Sequence, residues 1–227
     1  MRSGAALLAT AAALALAACA SGDAPADAPS GVTTDTPTAT APTSTPAVTA
    51  TVTASPSAPD AQPAWEFPER VGTFTRFDLK RDTANRQLIA GYRSGDHLIT
   101  VYVYPGARGP SPGSSAETVE AARQILLDRE FAGARRAIET VQPSARLLGT
   151  GTAPTTQGGV VRTGRVATYG YVERTPRGDV ETVTVLHLFI DGDWWVKYRT
   201  SYPASISTTA AAATATFIDD LRWPPAR

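Results

Sequence analysis

The chain has two histidines, His97 and His187, whose imidazoles ordinarily titrate near neutral pH. Asp96 precedes His97, and Asp191 and Asp193 follow His187. Such pairs could supply the general base of a hydrolase, or a poor metal site with two or three ligands. A histidine in the middle of a strand is more often hydrogen-bonded within the fold, and aspartates beside a glycine are typical of turns. The sequence therefore predicts no metal site and keeps a hydrolase that uses either histidine only as an alternative.

Two glycine-rich segments resemble catalytic or cofactor motifs but lack a required element. Gly109–Gly113 matches the pattern G-x-S-x-G, in which the backbone N–H after the serine stabilises an oxyanion. Pro112 occupies that position and has no N–H. Gly149–Pro154 begins like a dinucleotide-binding fingerprint, but Pro154 replaces the third glycine and no helix is predicted to follow. We therefore expect no catalytic residues, no cofactor and no enzymatic activity.

Trp195, Lys197 and Arg199 alternate along a predicted strand and so share one of its faces. Trp194 points to the opposite face, so both tryptophans are buried only if both faces of the sheet are covered. If Trp195 is half exposed, its ring and the two cations form a basic, amphipathic strip suited to a sugar, an acidic peptide or a partner protein. We therefore predict these three residues as the candidate binding surface, with full burial of Trp195 as the competing interpretation.

A long hairpin over residues 179–202 carries this surface and organises the predicted fold. Its first strand is apolar on both faces, which indicates cover on both sides, and Asp191-Gly192 is typical of a tight turn. A capping box of Ser114 and Glu117 predicts the start of a long helix that ends before Pro143. Strands are predicted at residues 71–79, 88–94, 98–104, 146–152, 160–174, 180–190 and 194–202, and a second helix at 205–221.

Strands, helix, strands, helix predicts an α+β fold, with a largely antiparallel sheet flanked by the long middle helix and the C-terminal helix. This order, the run VYVYPG at 101–106 and the hairpin FIDGDWWVKYR at 189–199 resemble the PsbP-like α/β/α sandwich. That fold occurs in a photosystem subunit and in bacterial envelope lipoproteins of the DcrB and LpqN type. The resemblance covers residues 65–223. It implies accessory and binding roles and supplies no catalytic residues.

Residues 1–18 have the pattern of a cleaved leader, with Arg2 followed by an apolar run that is too short to span a membrane. The run ends in LAAC at 16–19, which resembles the bacterial lipobox. The resemblance implies that Cys19, the only cysteine, is lipidated and anchors the chain to the cell envelope. Gram-negative sorting rules would place it in the outer membrane facing the periplasm, because no Asp follows Cys19. In another cell type, we expect the outer face of the cytoplasmic membrane.

Residues 19–63 consist mainly of Thr, Ala, Pro and Ser, and they are predicted to form a disordered tether after the lipidated cysteine. Glycosylation of its threonines is an alternative to an unmodified tether. Residues 64–227 are predicted to form a single domain. The 21 basic and 21 acidic side chains balance, and the predicted domain keeps only a small positive excess. Nucleic acid is therefore not an expected partner.

These features together predict a membrane-anchored, non-catalytic interaction module of the cell envelope. Its expected partners are the membrane, through the lipid on Cys19, and another envelope protein or a small ligand. One alternative is a carrier of a small apolar ligand between sheet and helix, with room left by the small residues Gly133, Ala134 and Ala137. The other alternative is the hydrolase that uses His97 or His187.

Overall fold

The computed structural model describes residues 65–106 and 113–224, which belong to one compact unit. Four strands come first, then a helix, four further strands, a single 3₁₀ turn at Ala204–Ile206 and a second helix. The strands are β1 (Arg70–Val71), β2 (Phe74–Asp82), β3 (Gln87–Ser94), β4 (His97–Pro105), β5 (Arg146–Gln157), β6 (Val160–Thr175), β7 (Gly178–Asp191) and β8 (Trp194–Pro203); the helices are α1 (Ala116–Val141) and α2 (Ser207–Asp220).

All eight strands form one antiparallel sheet in the order β1-β2-β3-β4-β8-β7-β6-β5. The chain therefore builds one half of the sheet as a meander from its edge inward, crosses through α1, and returns from the other edge. This crossover places β4 beside β8 in the centre, with Val103 opposite Val196. The predicted α+β class, with a largely antiparallel sheet flanked by a middle helix and a C-terminal helix, is confirmed.

The two helices lie on opposite faces of the sheet, and each covers a separate core. α1 packs on β6 and β7, where Phe131 and Ile138 meet Leu186 and Leu188. On the other face, Phe217 of α2 lies in the larger core, which also contains Phe189 and the N-terminal aromatic residues of the domain. Strand β7 thus contributes to both cores, as its apolar residues on both faces predicted.

Several ends of elements differ from the prediction: the strand predicted at 71–79 is divided into β1 and β2, and β5 continues to Gln157 instead of ending at residue 152. Ser115 caps α1 by accepting a hydrogen bond from the Thr118 backbone N–H at 3.2 Å, so the predicted cap at Ser114 is wrong by one residue. The hairpin between β7 and β8 turns at Gly192-Asp193, because Asp191 still pairs with Trp194. Gly192 has a φ of +58°, which glycine adopts without steric cost.

Candidate functional site

Helix α1 covers only part of its side of the sheet. It packs on β6 and β7, whereas the sheet continues through β8, β4, β3 and β2. The register shows which side chains of these strands share the α1 side: Ile89 lies opposite Tyr102, which lies opposite Lys197, and Thr100 lies opposite Arg199. We call this region the open face, and its side chains are half-buried or exposed. It consists of Phe77, Asp78, Lys80, Ile89, Arg93, Leu98, Thr100, Tyr102, Lys197 and Arg199; Asp78 and Lys80 belong to it because they lie opposite Gly91 and Ile89.

Lys197 lies between the rings of two tyrosines on the neighbouring strand. Its Nζ is 4.5 Å from the ring centroid of Tyr102 and 5.3 Å from that of Tyr104. Both distances are within the range of a cation–π interaction. The hydroxyl of Tyr104 donates a hydrogen bond to Oε1 of Glu130 on α1 at 2.7 Å, which fixes Tyr104 against the helix. The ammonium group is therefore held at the boundary between α1 and the open face.

Burial lowers the pKa of Lys197 below that of an exposed lysine, and the positive charge of Arg199 acts in the same direction. Glu130 opposes the shift, but its carboxylate already accepts the hydrogen bond from Tyr104. Burial also raises the pKa of Tyr102, so this phenol stays neutral beside the amine. A further carboxylate that reached this position would stabilise the charged form of Lys197.

The outer part of the open face combines an exposed aromatic ring with an arginine. Phe77 is 55% exposed, and its ring lies flat over Gly91, where a Cβ atom would be 2.7 Å from Cζ of the ring. The guanidinium carbon of Arg93 is 5.2 Å from the centroid of the same ring. Within residues 65–106 and 113–224, Arg93, Lys197 and Arg199 form no ion pair with a carboxylate. The open face thus presents three cations outside ion pairs, next to aromatic and aliphatic groups and to the paired side chains of Asp78 and Lys80.

Trp195 does not contribute an exposed ring to this surface. It is 4% exposed and belongs to the core beneath α1, whereas Trp194 lies in the core on the α2 side. The prediction of opposite faces for the two tryptophans is confirmed. The predicted half exposure of Trp195 is wrong, because its ring packs into the core that α1 forms with β6 and β7. Lys197 and Arg199, further along the same strand, lie on the open face, and their role in binding stays a prediction.

His97 is buried within the core on the α2 side. It is 4% exposed, and its ring packs edge-on against Phe74 and Tyr202. Its Nε2 lies 3.2 Å from Oγ1 of Thr214 on α2, and burial lowers its pKa to about 4. Asp96, its neighbour in sequence, is exposed at the turn and does not pair with it. His97 therefore ties β4 to α2.

His187 and Asp191 do not form a joint site. His187 stacks parallel to Phe189, and burial lowers its pKa to about 4. Oδ1 of Asp191 lies 2.7 Å from Nη2 of Arg162 on β6. Burial raises the pKa of this carboxyl, and Arg162 opposes the shift. In the part of the chain that the structure describes, no three His, Cys, Asp or Glu side chains are grouped to hold a metal ion.

The remaining sequence predictions fall partly within the described residues. Gly149–Pro154 lies in strand β5, so it opens no nucleotide-binding helix. The three small residues of the proposed carrier occupy different environments on α1: Ala134 is buried in the core, Gly133 is half-buried and Ala137 is exposed. The carrier and hydrolase alternatives stay predictions. Cys19, the leader, the tether, the boundary at residue 64 and the serine of the G-x-S-x-G segment lie outside the described residues.

Sequence reasoning missed the tyrosines and Glu130, although part of the signal was present. The alternation of β4 places Tyr102 and Tyr104 on the face opposite Val101 and Val103. Which strand pairs with β4 is a tertiary property, however, and β8 lies about one hundred residues further along the chain. Without that pairing, no pattern connects Lys197 to Tyr102 or Glu130.

Comparisons with known proteins find a structural similarity but no match by sequence. Neither a protein-family model nor a curated protein sequence matches the chain. The structure is similar to the solution structure of cyanobacterial PsbP (CyanoP) from Synechocystis sp. PCC 6803, with a TM-score of 0.37 and 10% sequence identity. The similarity covers 66% of this chain and 92% of that chain. A likeness of this size carries no argument about function. Among the described residues, neither helix has the length and apolarity needed to cross a membrane.

Proposed function

We propose that this protein is a lipid-anchored, non-catalytic binding module of the bacterial cell envelope, and that its open face binds an acidic segment of a partner protein. The observation that carries the proposal is the cation pair of Lys197 and Arg199 on a sheet surface beyond the cover of α1. Surfaces of this kind, with cations beside half-buried aromatic rings, suit ligands that combine carboxylates with apolar groups. The anchor is the lipid predicted on Cys19.

The chemistry of the open face favours an acidic partner over a neutral one. Lys197 loses hydration between two aromatic rings, and a partner carboxylate would compensate the charge at that position. Arg199 and Arg93 lie on the same face, so two or three carboxylates spaced along an extended segment would each meet a cation. Phe77 adds exposed apolar area at the outer end. Electrostatic complementarity of this kind contributes mainly to specificity and to the rate of association.

A non-catalytic role agrees with the surroundings of the two histidines. His97 bonds to Thr214 inside a core, and the Nδ1 atom of His187 is buried without a hydrogen-bond partner among the described residues. A general base needs access to a substrate proton within hydrogen-bond distance. His97 is enclosed in the core, and the proposal gives it a structural role; His187, whose side chain is half-buried beside Phe189, is likewise assigned to the fold.

The anchor is tested by metabolic labelling of the full chain with a radioactive fatty acid. We expect label on the unsubstituted protein and its recovery with membranes after an alkaline wash. We expect Cys19→Ala to lose both, because it removes the only thiol that could accept a diacylglycerol group. Label retained on Cys19→Ala would contradict the proposed anchor.

The binding face is tested by zero-length coupling of lysine amines to partner carboxylates with a carbodiimide in intact cells. The chain has two lysines: Lys197 near the centre of the open face, and Lys80 at its outer edge on β2, opposite Ile89, where it pairs with Asp78. We expect crosslinked peptides that join Lys197 to Asp or Glu of the partner. Lys197→Met is the control, because it removes the central amine and leaves Lys80 in place. An unchanged yield of crosslinked partner from Lys197→Met would refute the proposed contact at Lys197.

Charge removal provides a second, matched test. Lys197→Met with Arg199→Met removes two charges from the open face, while Arg129→Met with Arg136→Met removes two from the exposed surface of α1. We expect the first pair to weaken recovery of the partner at least tenfold and to reduce its salt dependence, because Arg93 remains on the open face. We expect the second pair to leave both unchanged. Equal losses from both pairs would show that only net charge matters.

A further inference from the structure

The two edges of the sheet differ sharply in how they are protected against pairing with another strand. The β2 edge is partly covered by the two-residue strand β1, and its sequence, FTRFDLKRD, carries five charged side chains among nine residues. Charges and short edge strands are the usual means of preventing edge-to-edge association. The opposite edge, β5, has twelve residues, and from Leu147 to Gln157 none is charged.

Exposed apolar side chains are concentrated at the unprotected edge. Of the nine exposed large hydrophobic residues among those described, five lie on β5 and β6. Leu148 is 63% exposed and lies over Gly170, and the backbone groups on the outer side of β5 have no strand partner among the described residues. A long, uncharged edge with apolar neighbours is a template for an added strand. The five residues, which we call the edge cluster, are Leu147, Leu148, Val160, Val161 and Val172.

We propose that β5 pairs antiparallel with β5 of a second copy of this chain, around a two-fold axis near Gly151, so that the two sheets become continuous. In this register Gly149 lies opposite Ala153, and Thr150 opposite Thr152. Each pair combines small or hydroxyl side chains, and none brings like charges together. The pairing ends where Pro154 of one copy, which has no N–H to donate, lies opposite the β-bulge beside Leu148 of the other copy.

Charges of opposite sign lie beside the two ends of β5, which favours a second copy over an unrelated strand. Arg146 begins β5 and is exposed, and it forms no ion pair within the described residues. At the other end, Oδ1 of Asp219 accepts hydrogen bonds from Thr155 Oγ1 at 2.8 Å and from the Thr156 backbone N–H at 3.4 Å. Asp219 likewise has no cationic partner there.

The two-fold axis brings these charges together. Arg146 of one copy lies opposite Thr156 of the other, the residue whose backbone contacts Asp219. Arg146 pairs with Gly170 on the α2 side of the sheet, and Asp219 belongs to α2 itself, so both charges lie on the same side. The bulge displaces Arg146 by about one residue, roughly 3.4 Å, which the length of an arginine side chain can absorb. Symmetry creates this ion pair twice. The proposal is independent of any ligand on the open face.

Disulfide trapping in membranes that contain the full chain tests the pairing. A residue near the two-fold axis meets its own copy, so Gly151→Cys should form a disulfide-linked dimer on mild oxidation. A Cβ at Gly151 is 3.7 Å from its nearest neighbour, Cγ1 of Val166, so the substitution fits the fold. Lys80→Cys places a thiol on the opposite edge as the matched control, and the unsubstituted chain measures any contribution of Cys19. We expect at least tenfold more dimer from Gly151→Cys than from either control.

Charge reversal then tests the register. Arg146→Glu in the Gly151→Cys chain would place two acids together and should lower the dimer yield severalfold. Adding Asp219→Asn, which keeps the hydrogen-bond acceptor for Thr155, should restore much of that yield. Equal trapping at Gly151→Cys and Lys80→Cys would overturn the proposed pairing, as would the absence of dimer from Gly151→Cys. A yield that Arg146→Glu does not change would overturn the proposed register.

Discussion

Arg162 and Asp191 form a largely buried ion pair that joins β6 to the end of β7. Nη2 of Arg162 lies 2.7 Å from Oδ1 of Asp191, and the side chains are only 17% and 8% exposed. The contact is close but not aligned as a hydrogen bond, and Nε of Arg162 is buried without a partner among the described residues. The guanidinium also lies over the Trp223 ring, with its carbon 5.7 Å from the centroid. An aspartate that the sequence placed in a turn is thus a structural element of the core.

Removal of Arg162 should therefore destabilise the fold strongly. Arg162→Met keeps the side-chain volume but leaves the Asp191 carboxylate buried without its cation. We expect the free energy of unfolding to fall by about 3 kcal/mol or more, as for other broken buried pairs. Arg165→Met is the control, because Arg165 pairs with an Asp128 side chain that is 59% exposed, and it should cost about 1 kcal/mol or less. Urea denaturation measures both, and equal losses would refute the distinction.

His97, which is buried, and His187, which is half-buried, predict a stability that falls in acid. Burial lowers the pKa of His97 and His187 to about 4 from the ordinary value of 6.5. Between these values the unfolded chain binds protons that the folded chain does not. Stability is therefore fully present above pH 6.5, and it falls by about 1.4 kcal/mol per pH unit for each histidine as the pH is lowered toward 4.

A single substitution separates this effect from the titration of carboxylates. His187→Leu removes one titrating ring whose Nδ1 has no hydrogen-bond partner among the described residues, so little should be lost at pH 7. The decline in the free energy of unfolding between pH 6 and pH 5, measured by urea denaturation, should be about half as steep as in the unsubstituted chain. An unchanged slope would show that His187 is not protonated on unfolding.

The fold could be predicted further than the site, for a physical reason. The residues of strand β7 alone indicate that both of its faces are buried, because the local pattern of apolar residues reports burial directly. The sequence determines the ends of elements less closely, since Ser114 and Ser115 are chemically equivalent caps and backbone geometry chooses between them. The two-residue turn at Gly192-Asp193 likewise depends on how Asp191 pairs with Trp194.

The candidate site depends on the order of the strands and on how much of the sheet α1 covers. Neither can be predicted from local sequence patterns. Alternation alone indicates the face of Lys197, but its surroundings are formed by Tyr102 on β4 and by Tyr104, whose hydroxyl bonds to Glu130. Alternation likewise gives the correct face for Trp195 but not its exposure. Whether a ring on that face meets solvent depends on where α1 lies, and only the packing of the whole domain decides that.

Two glycines provide a sharp test of the packing. A Cβ at Gly164 would lie 2.5 Å from the Leu188 carbonyl oxygen, which is backbone and cannot move aside cheaply. Gly164→Ala should therefore lower the free energy of unfolding by about 3 kcal/mol. Gly133 lies within α1, and a Cβ there meets no atom within 4 Å, so Gly133→Ala should raise it by about 0.5–1 kcal/mol. Thermal unfolding followed by circular dichroism measures both, and shifts of the same sign would contradict the described packing.

The hydrogen bond between Trp223 and Tyr198 should fasten the C-terminal segment to the sheet. Trp223 Nε1–H donates to the hydroxyl of Tyr198 at 2.7 Å, and Tyr198 is completely buried. Tyr198→Phe leaves the indole N–H buried without an acceptor, so we expect a loss of about 1–3 kcal/mol in urea denaturation. Tyr202→Phe is the control, because the Tyr202 hydroxyl has no hydrogen-bond partner within the described residues, and it should cost less than about 0.5 kcal/mol.

The same pair allows the energy to be assigned to the bond itself. Trp223→Phe alone removes the donor together with much ring area, so its cost mixes packing with hydrogen bonding. In the Trp223→Phe background, Tyr198→Phe no longer leaves an indole N–H without an acceptor. It should therefore lower the free energy of unfolding by less in that background than it does alone. The difference is the coupling energy, expected at about 1 kcal/mol or more. Strict additivity of the two substitutions would show that the bond contributes nothing beyond packing.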